Sequence, residues 1–195
     1  MKNLKILSLL VIATLTFSSC SNDDDNTPEI INEEEVITTI TVTLVPQTGE
    51  TVTLTSRDLD GDGPDEPVIN VSGSLQAGMS YNGSVILQNE TVSPAEVINE
   101  EIEEEADEHQ FFYQVGSGLN ATVSYADTEN DYLTNGSTNP VGIDFTLLAG
   151  TASTGQLTVT LRHEPNKDAE GVSEGNLSNA GGETDIAQTF NLTIE

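Results

Sequence analysis

Val36-Ile37-Thr38-Thr39-Ile40-Thr41-Val42-Thr43-Leu44-Val45 is the stretch that decides the fold. Ile40, Val42 and Leu44 fall on one side of an extended chain, with Thr39, Thr41 and Thr43 on the other. That period of two is the mark of a half-buried strand. The same reading applies to 51–56, 68–71, 81–88, 110–115, 121–125, 143–148, 156–162 and 189–194, all short and rich in Val, Ile, Thr and aromatic residues. Gly, Asn, Asp and Pro clusters separate them, among them Asp60-Gly61-Asp62-Gly63-Pro64, Asn82-Gly83, Asn135-Gly136 and Ala180-Gly181-Gly182. About nine strands at this spacing predict an all-β protein, a single antiparallel β-sandwich of immunoglobulin-like type. The Cys pair and the Trp of true immunoglobulin domains are absent, so the likeness is one of architecture.

One segment breaks the alternation. Ser93-Pro94-Ala95-Glu96 reads as a capping box with Pro at the first helical position, and Ala95, Ile98, Ile102 and Ala106 then share a helical face. The expectation is one short acidic helix from Pro94 to about Ala106, inserted in the sandwich. Its other faces carry Glu100, Glu101, Glu103, Glu104, Glu105, Asp107 and Glu108, whose mutual repulsion a bound cation would relieve.

The chain has 33 acidic and 5 basic residues and a formal charge of −28. Such a charge repels nucleic acid and favours cations or cationic partners. The domain behind the N-terminal segments is about 160 residues, enough for one core. Having no cysteine beyond Cys20, it must hold together by packing, with or without metal.

Two places could carry a cation. Asp58-Leu59-Asp60-Gly61-Asp62-Gly63-Pro64-Asp65-Glu66 resembles the start of a calcium loop of EF-hand or dockerin type. Asp58, Asp60 and Asp62 stand at loop positions one, three and five and Gly63 at position six, with Asp65 and Glu66 as further carboxylates. Ile69 occupies the place of the bidentate Glu, and an acidic hairpin turn is the competing reading. The second place is Glu105-Ala106-Asp107-Glu108-His109, where the helix hands over to a strand. Glu105 and His109 lie four apart on one helical face, and Asp107 and His109 share a side if the strand starts early. His163, followed by Glu164, supplies a second imidazole if its strand neighbours that of His109. Imidazole with carboxylate suits zinc, and carboxylates alone suit calcium. A solvated charge run is the plain alternative.

The glycine-containing tail, Glu170–Asn176 and Asn179–Asp185, does not open a helix after a strand and has no phosphate-cradling Lys, so it reads as a long ordered loop. Catalytic patterns find little support too: no H-E-x-x-H or CxxC occurs, and Gly171-Val172-Ser173-Glu174-Gly175, which spells G-x-S-x-G, does not follow a strand and open a helix as a nucleophile elbow does, which points away from an enzyme.

At the N-terminus, Lys2 and Lys5 precede the apolar run Leu7–Leu15, and Phe17-Ser18-Ser19-Cys20 closes it. The apolar run falls short of the ~20 residues of a membrane span and has the layout of a secretory signal. The cysteine at its end resembles the bacterial lipobox. That resemblance implies a leader of residues 1–19 and a Cys20 acylated through its sulfur and usually its amine, a lipid anchor in the bilayer. Ser21-Asn22-Asp23-Asp24-Asp25 is similar to the acidic export signal of Bacteroidota surface lipoproteins. Residues 20–35 then form an acidic tether and 36–195 the sandwich domain.

With Arg57–Pro64, His109-Gln110-Phe111-Phe112 and Gly181–Asp185, the whole chain looks like the small Bacteroidota surface lipoproteins. Some proteins of this look carry the label of a type 1 periplasmic binding fold, which implies two α/β lobes. This chain is too short and too strand-rich for them. The resemblance implies an outer-membrane location facing the cell surface, with the periplasmic face as alternative. The expected function is a non-catalytic binding or accessory module for calcium or zinc, or for an outer-membrane receptor or other envelope protein. A structural or adhesive domain is the rival, and a hydrolase a distant third.

Overall fold

A computed structural model describes residues 36–61 and 63–195. Cys20, the expected leader and tether, and Asp62 lie outside the described residues. The decisive stretch forms β1 (Thr39–Pro46), and its alternation holds: Ile40, Val42 and Leu44 are buried, while Thr41 and Thr43 are half-buried on the other face. β1 is central. It pairs antiparallel on one side with β2 (Val52–Arg57) and on the other with β4 (Ser80–Asn89).

β3 (Val68–Val71) forms one edge beside β2, and β8 (Asp144–Ala149) and β7 (Ala121–Tyr125) continue the sheet beyond β4. A two-residue strand, β5 (Glu96–Val97), pairs with the end of β4. The second sheet is β10 (Glu183–Ile194), β9 (Ser153–His163) and β6 (His109–Val115), again antiparallel. Their inner faces share one core: Val42, Leu54, Val85, Leu87, Phe145 and Leu147 from the larger sheet meet Phe111, Leu157, Val159, Leu161 and Phe190 from the smaller. The described residues are thus an all-β, antiparallel, sandwich-like fold, as the period-two pattern predicts. The likeness to immunoglobulin domains extends no further than two packed antiparallel sheets.

Nine of the ten strands among the described residues coincide with predicted ones, and two of them start at least three residues earlier than expected. β9 begins at Ser153 rather than 156, and β10 begins at Glu183 rather than 189. The upstream half of β10 was expected to be loop. Its polar Glu183-Thr184-Asp185 carries no alternation, and it becomes strand because it pairs with Arg162 and His163 of β9.

The helix is shorter than expected and starts later. α1 spans Asn99–Glu104, with Ile98 as its N-cap, so Ser93, Pro94 and Glu96 form no capping box. Tertiary pairing displaces the local cap, because Glu96 and Val97 join β4 and the Ile98 N–H donates to Leu87 O. Asn99 completes the handover: its buried side chain accepts from Leu87 N–H and donates to Val85 O, standing in for a strand residue. Ile98, Ile102 and Ala106 are buried as the pattern predicts, whereas Ala95 is exposed.

A second helix, α2 (Glu129–Leu133), was not anticipated. It is capped by Thr128, whose backbone N–H and hydroxyl both donate to Asp131 Oδ2. Five residues are too few for hydrophobic periodicity to register. Among the described residues, no helix is long and apolar enough to cross a membrane.

The segment 164–182 covers the outer face of the small sheet. Phe112 points away from the main core and packs with Val172 and Ala180 in a second apolar cluster. This is the long ordered loop predicted for the glycine-containing tail, with a short 3₁₀ turn at Leu177–Asn179.

Candidate metal centre

β6 begins at His109 and β9 ends at His163, and the antiparallel register sets the two residues directly opposite each other. Cross-strand partners of this kind bring their side chains into contact. Here the imidazoles stack, with ring centroids 4.7 Å apart and planes 8° from parallel. The condition left open by the sequence, that the two strands be neighbours, is met.

Glu105 is the third member of the group. It ends α1 as C-cap, and the Glu108 N–H bonds back to its carbonyl, a turn that folds Glu105 over the start of β6. The Glu105, His109 and His163 donor atoms lie within 4.8 Å of one another. A second group, Glu108, His163 and Glu164, meets the same criterion and shares His163. His163 Nε2 stands 3.7 Å from Glu108 Oε2. Glu108 was not foreseen as a donor; its neighbour Asp107 was, and it lies outside both groups.

The electrostatics favour a neutral imidazole at the inner position. His109 is only 2 % exposed, and burial pushes its pKa down to about 4, against a weaker upward pull from the Glu105 carbonyl. His109 Nδ1 lies 3.1 Å from that carbonyl, which can only accept, so the proton sits on Nδ1 and Nε2 keeps its lone pair. A ring oriented by a backbone carbonyl at one nitrogen and bare at the other is the usual state of a metal-ligating histidine. Burial also raises the pKa of Glu105, as does the negative charge of Glu101 and Glu108. A cation would reverse both penalties. Donor atoms around a tetrahedral zinc stand about 3.4 Å apart, and each ring must hold the ion near its own plane. Closing on zinc therefore contracts the triangle and tilts the stacked rings.

This arrangement carries a pH signature even without metal. The folded value of His109 lies below the ordinary value of about 6.5, so as pH falls from about 6.5 to 4 the unfolded chain takes up a proton that the native state refuses. Stability drops across that window by about 3 kcal/mol from this residue and changes no further from it below pH 4. His109→Asn, whose amide can still reach the Glu105 carbonyl, is expected to flatten that part of the profile. Urea melts of both proteins from pH 7.5 to 4 measure the difference; equal slopes would refute a neutral, buried His109.

The Asp58–Glu66 loop behaves differently. Asp58 Oδ1 accepts from the N–H groups of Asp60 and Gly61, and Asp60 Oδ2 accepts from the Asp65 N–H. These are turn-closing roles of aspartate. The described acids of the loop do not join the histidine group. Gly182 of the tail has a role here too. Its φ is +65°, and a Cβ built on it would lie 2.1 Å from the His163 carbonyl oxygen, so only glycine lets β10 pass this close to the histidine.

One charged group beside the site escaped the sequence reading. Lys167 is buried, its Nζ 3.0 Å from Glu129 Oε1 and donating also to the carbonyls of Ala106 and Pro140. Burial lowers its pKa, and the Glu129 bond opposes that. The only available hint was scarcity: after Lys2 and Lys5 the basic residues are Arg57, Arg162 and Lys167. Each proves to be engaged, Arg57 with Glu90 and Arg162 with the Gly181 and Gly182 carbonyls.

No protein-family model, curated protein or solved structure matches the chain.

Proposed function

We propose that the chain is a lipid-anchored envelope module that captures a divalent transition-metal ion, zinc being the best fit, and that it binds rather than catalyses. The observation that supports this reading most is the opposed pair His109–His163 with Glu105 in reach. Two imidazoles and a carboxylate form a donor set typical of zinc and leave a fourth position for water or a partner's side chain. Buried Lys167 raises the electrostatic cost of a cation here, and the surrounding acids, Asp107 near His109, Glu101 and Glu108 near Glu105, and Glu164 near His163, offset it.

The anchor belongs to the same proposal and rests on Cys20 and the acidic run behind it. Each buried methylene contributes ~0.8 kcal/mol, so two or three acyl chains on one residue hold essentially permanently. An envelope module so tethered would present its metal, or a surface completed by the metal, to a receptor or other envelope protein at the outer membrane.

Thermal melts and calorimetry with zinc and with calcium test the reading. A ligand at a hundred times its Kd adds about 2.7 kcal/mol to the folded state, which for a domain of this size raises Tm by roughly 5–10 °C. Zinc is expected to give that shift, His109→Asn to abolish it, and calcium to give none at this site. Absence of heat and of a melting shift with either metal favours the structural or adhesive reading instead. Intact-mass analysis of protein from its host reports on the acyl chains at Cys20.

A further inference from the structure

Away from the histidines, a cleft of about 210 Å³ opens beside β7, lined by Tyr113, Val123, Ser124, Tyr125, Glu174 and Gly175. Its volume is below the ~300 Å³ at which drug-sized pockets begin, so its occupant is small. Both tyrosine hydroxyls are committed elsewhere. Tyr113 OH donates to Gly142 O and Tyr125 OH to Phe111 O, while Gln110 Nε2 donates to the Tyr125 oxygen.

What the two residues offer the cleft is therefore their rings, held in place from behind. The ring centroids are 6.3 Å apart and the planes inclined by 58°, two walls meeting at an angle. The ionisable group on the rim is Glu174, exposed, with only a 3.3 Å contact from the Ser173 hydroxyl. Val123 adds an apolar wall.

Two fixed aromatic rings and a carboxylate lining one cleft, on a chain of formal charge −28, match one ligand chemistry: a compact organic cation. We infer that the cleft between β7 and the 164–182 segment binds a small organic ammonium, its methyl or methylene groups against Tyr113, Tyr125 and Val123 and its charge under Glu174. A bare metal ion would find one carboxylate and no second charged ligand in this lining, and a neutral molecule would gain nothing from the charge of Glu174. The inference is independent of the metal centre, since none of the cleft residues belongs to it.

Choline is a suitable probe, with 3,3-dimethyl-1-butanol as its neutral isostere. Titration of the ¹⁵N-labelled full chain with choline should give saturable shifts confined to residues around Val123–Tyr125 and Glu174–Gly175, with a Kd of about millimolar order. The isostere should bind at least about five-fold more weakly. Glu174→Gln, an exposed change, should weaken choline by a similar factor. Tyr125→Phe, which keeps the ring, should retain binding and Tyr125→Leu lose it. The inference is overturned if choline gives no saturable shift there, if the isostere binds equally well, or if Glu174→Gln leaves the affinity unchanged.

Discussion

Lys167→Met is expected to destabilise the domain by about 3–5 kcal/mol, lowering Tm by roughly 10 °C or more. The mechanism is the charge left behind. Glu129 and Lys167 are about 95 % buried, and their 3.0 Å pair is supported by the Ala106 and Pro140 carbonyls, which use the ammonium's remaining donors. Removing the lysine strands a carboxylate in a low-dielectric interior and leaves two carbonyls without a donor. Glu129→Gln should cost less, because the amide oxygen can still accept from the ammonium.

The pair spans the fold: Lys167 lies in the segment that covers the small sheet, Glu129 in α2, and Ala106 behind α1. Losing it should loosen that segment before the sheets, visible as faster amide exchange at Val172 and Ala180 than at Val42 or Val85. The double variant Lys167→Met/Glu129→Leu separates charge from packing. With both ions replaced by apolar groups, most of the loss should return. If the double variant is as unstable as the sum of its parts, the pair is not the source of the effect.

The second large effect is expected at a glycine that faces an aromatic ring. Gly83 of β4 pairs with Phe145 of β8, and a Cβ at Gly83 would lie 2.3–2.6 Å from three atoms of the Phe145 ring. The ring, 1 % exposed, occupies the space a side chain would fill and tilts against Tyr113 at 4.2 Å between centroids. Phe145→Ala is therefore expected to cost about 3–5 kcal/mol through the cavity it opens.

Gly83→Ala should cost about 1–3 kcal/mol through overpacking, despite the better strand propensity of alanine. In a Phe145→Leu background the alanine should cost far less, because the shorter side chain gives it room. Urea denaturation of the four proteins yields the coupling. Additive losses would show that the two sites do not compete for the same volume.

Much of the sandwich was legible because strand formation here is written locally. Ile40, Val42 and Leu44 alternate with threonines, and turn residues bound each run, so the positions of nine strands follow from a few residues apiece. Errors arose where a tertiary partner outweighed a local preference. The Ser93–Glu96 cap gave way to pairing with β4, and Glu183–Asp185 became strand by lying against β9. The candidate site was half legible. Glu105 and His109 are four apart but meet across the turn between α1 and β6 rather than on one helical face, whereas His163 is 54 positions away and Glu108 counted only once His163 was in place.

Period-two alternation, the spacing of turn residues and the lipobox-like start are properties of neighbouring residues, and from these the sequence alone determined an all-β body behind an expected lipid anchor. The opposition of His109 to His163, the Lys167–Glu129 pair and the fit of Phe145 over Gly83 were decided only by the tertiary structure. Each joins residues far apart in the chain, and its existence depends on strand register and sheet packing. A one-residue slip of β9 against β6 would have changed the histidine pairing while leaving the local patterns intact.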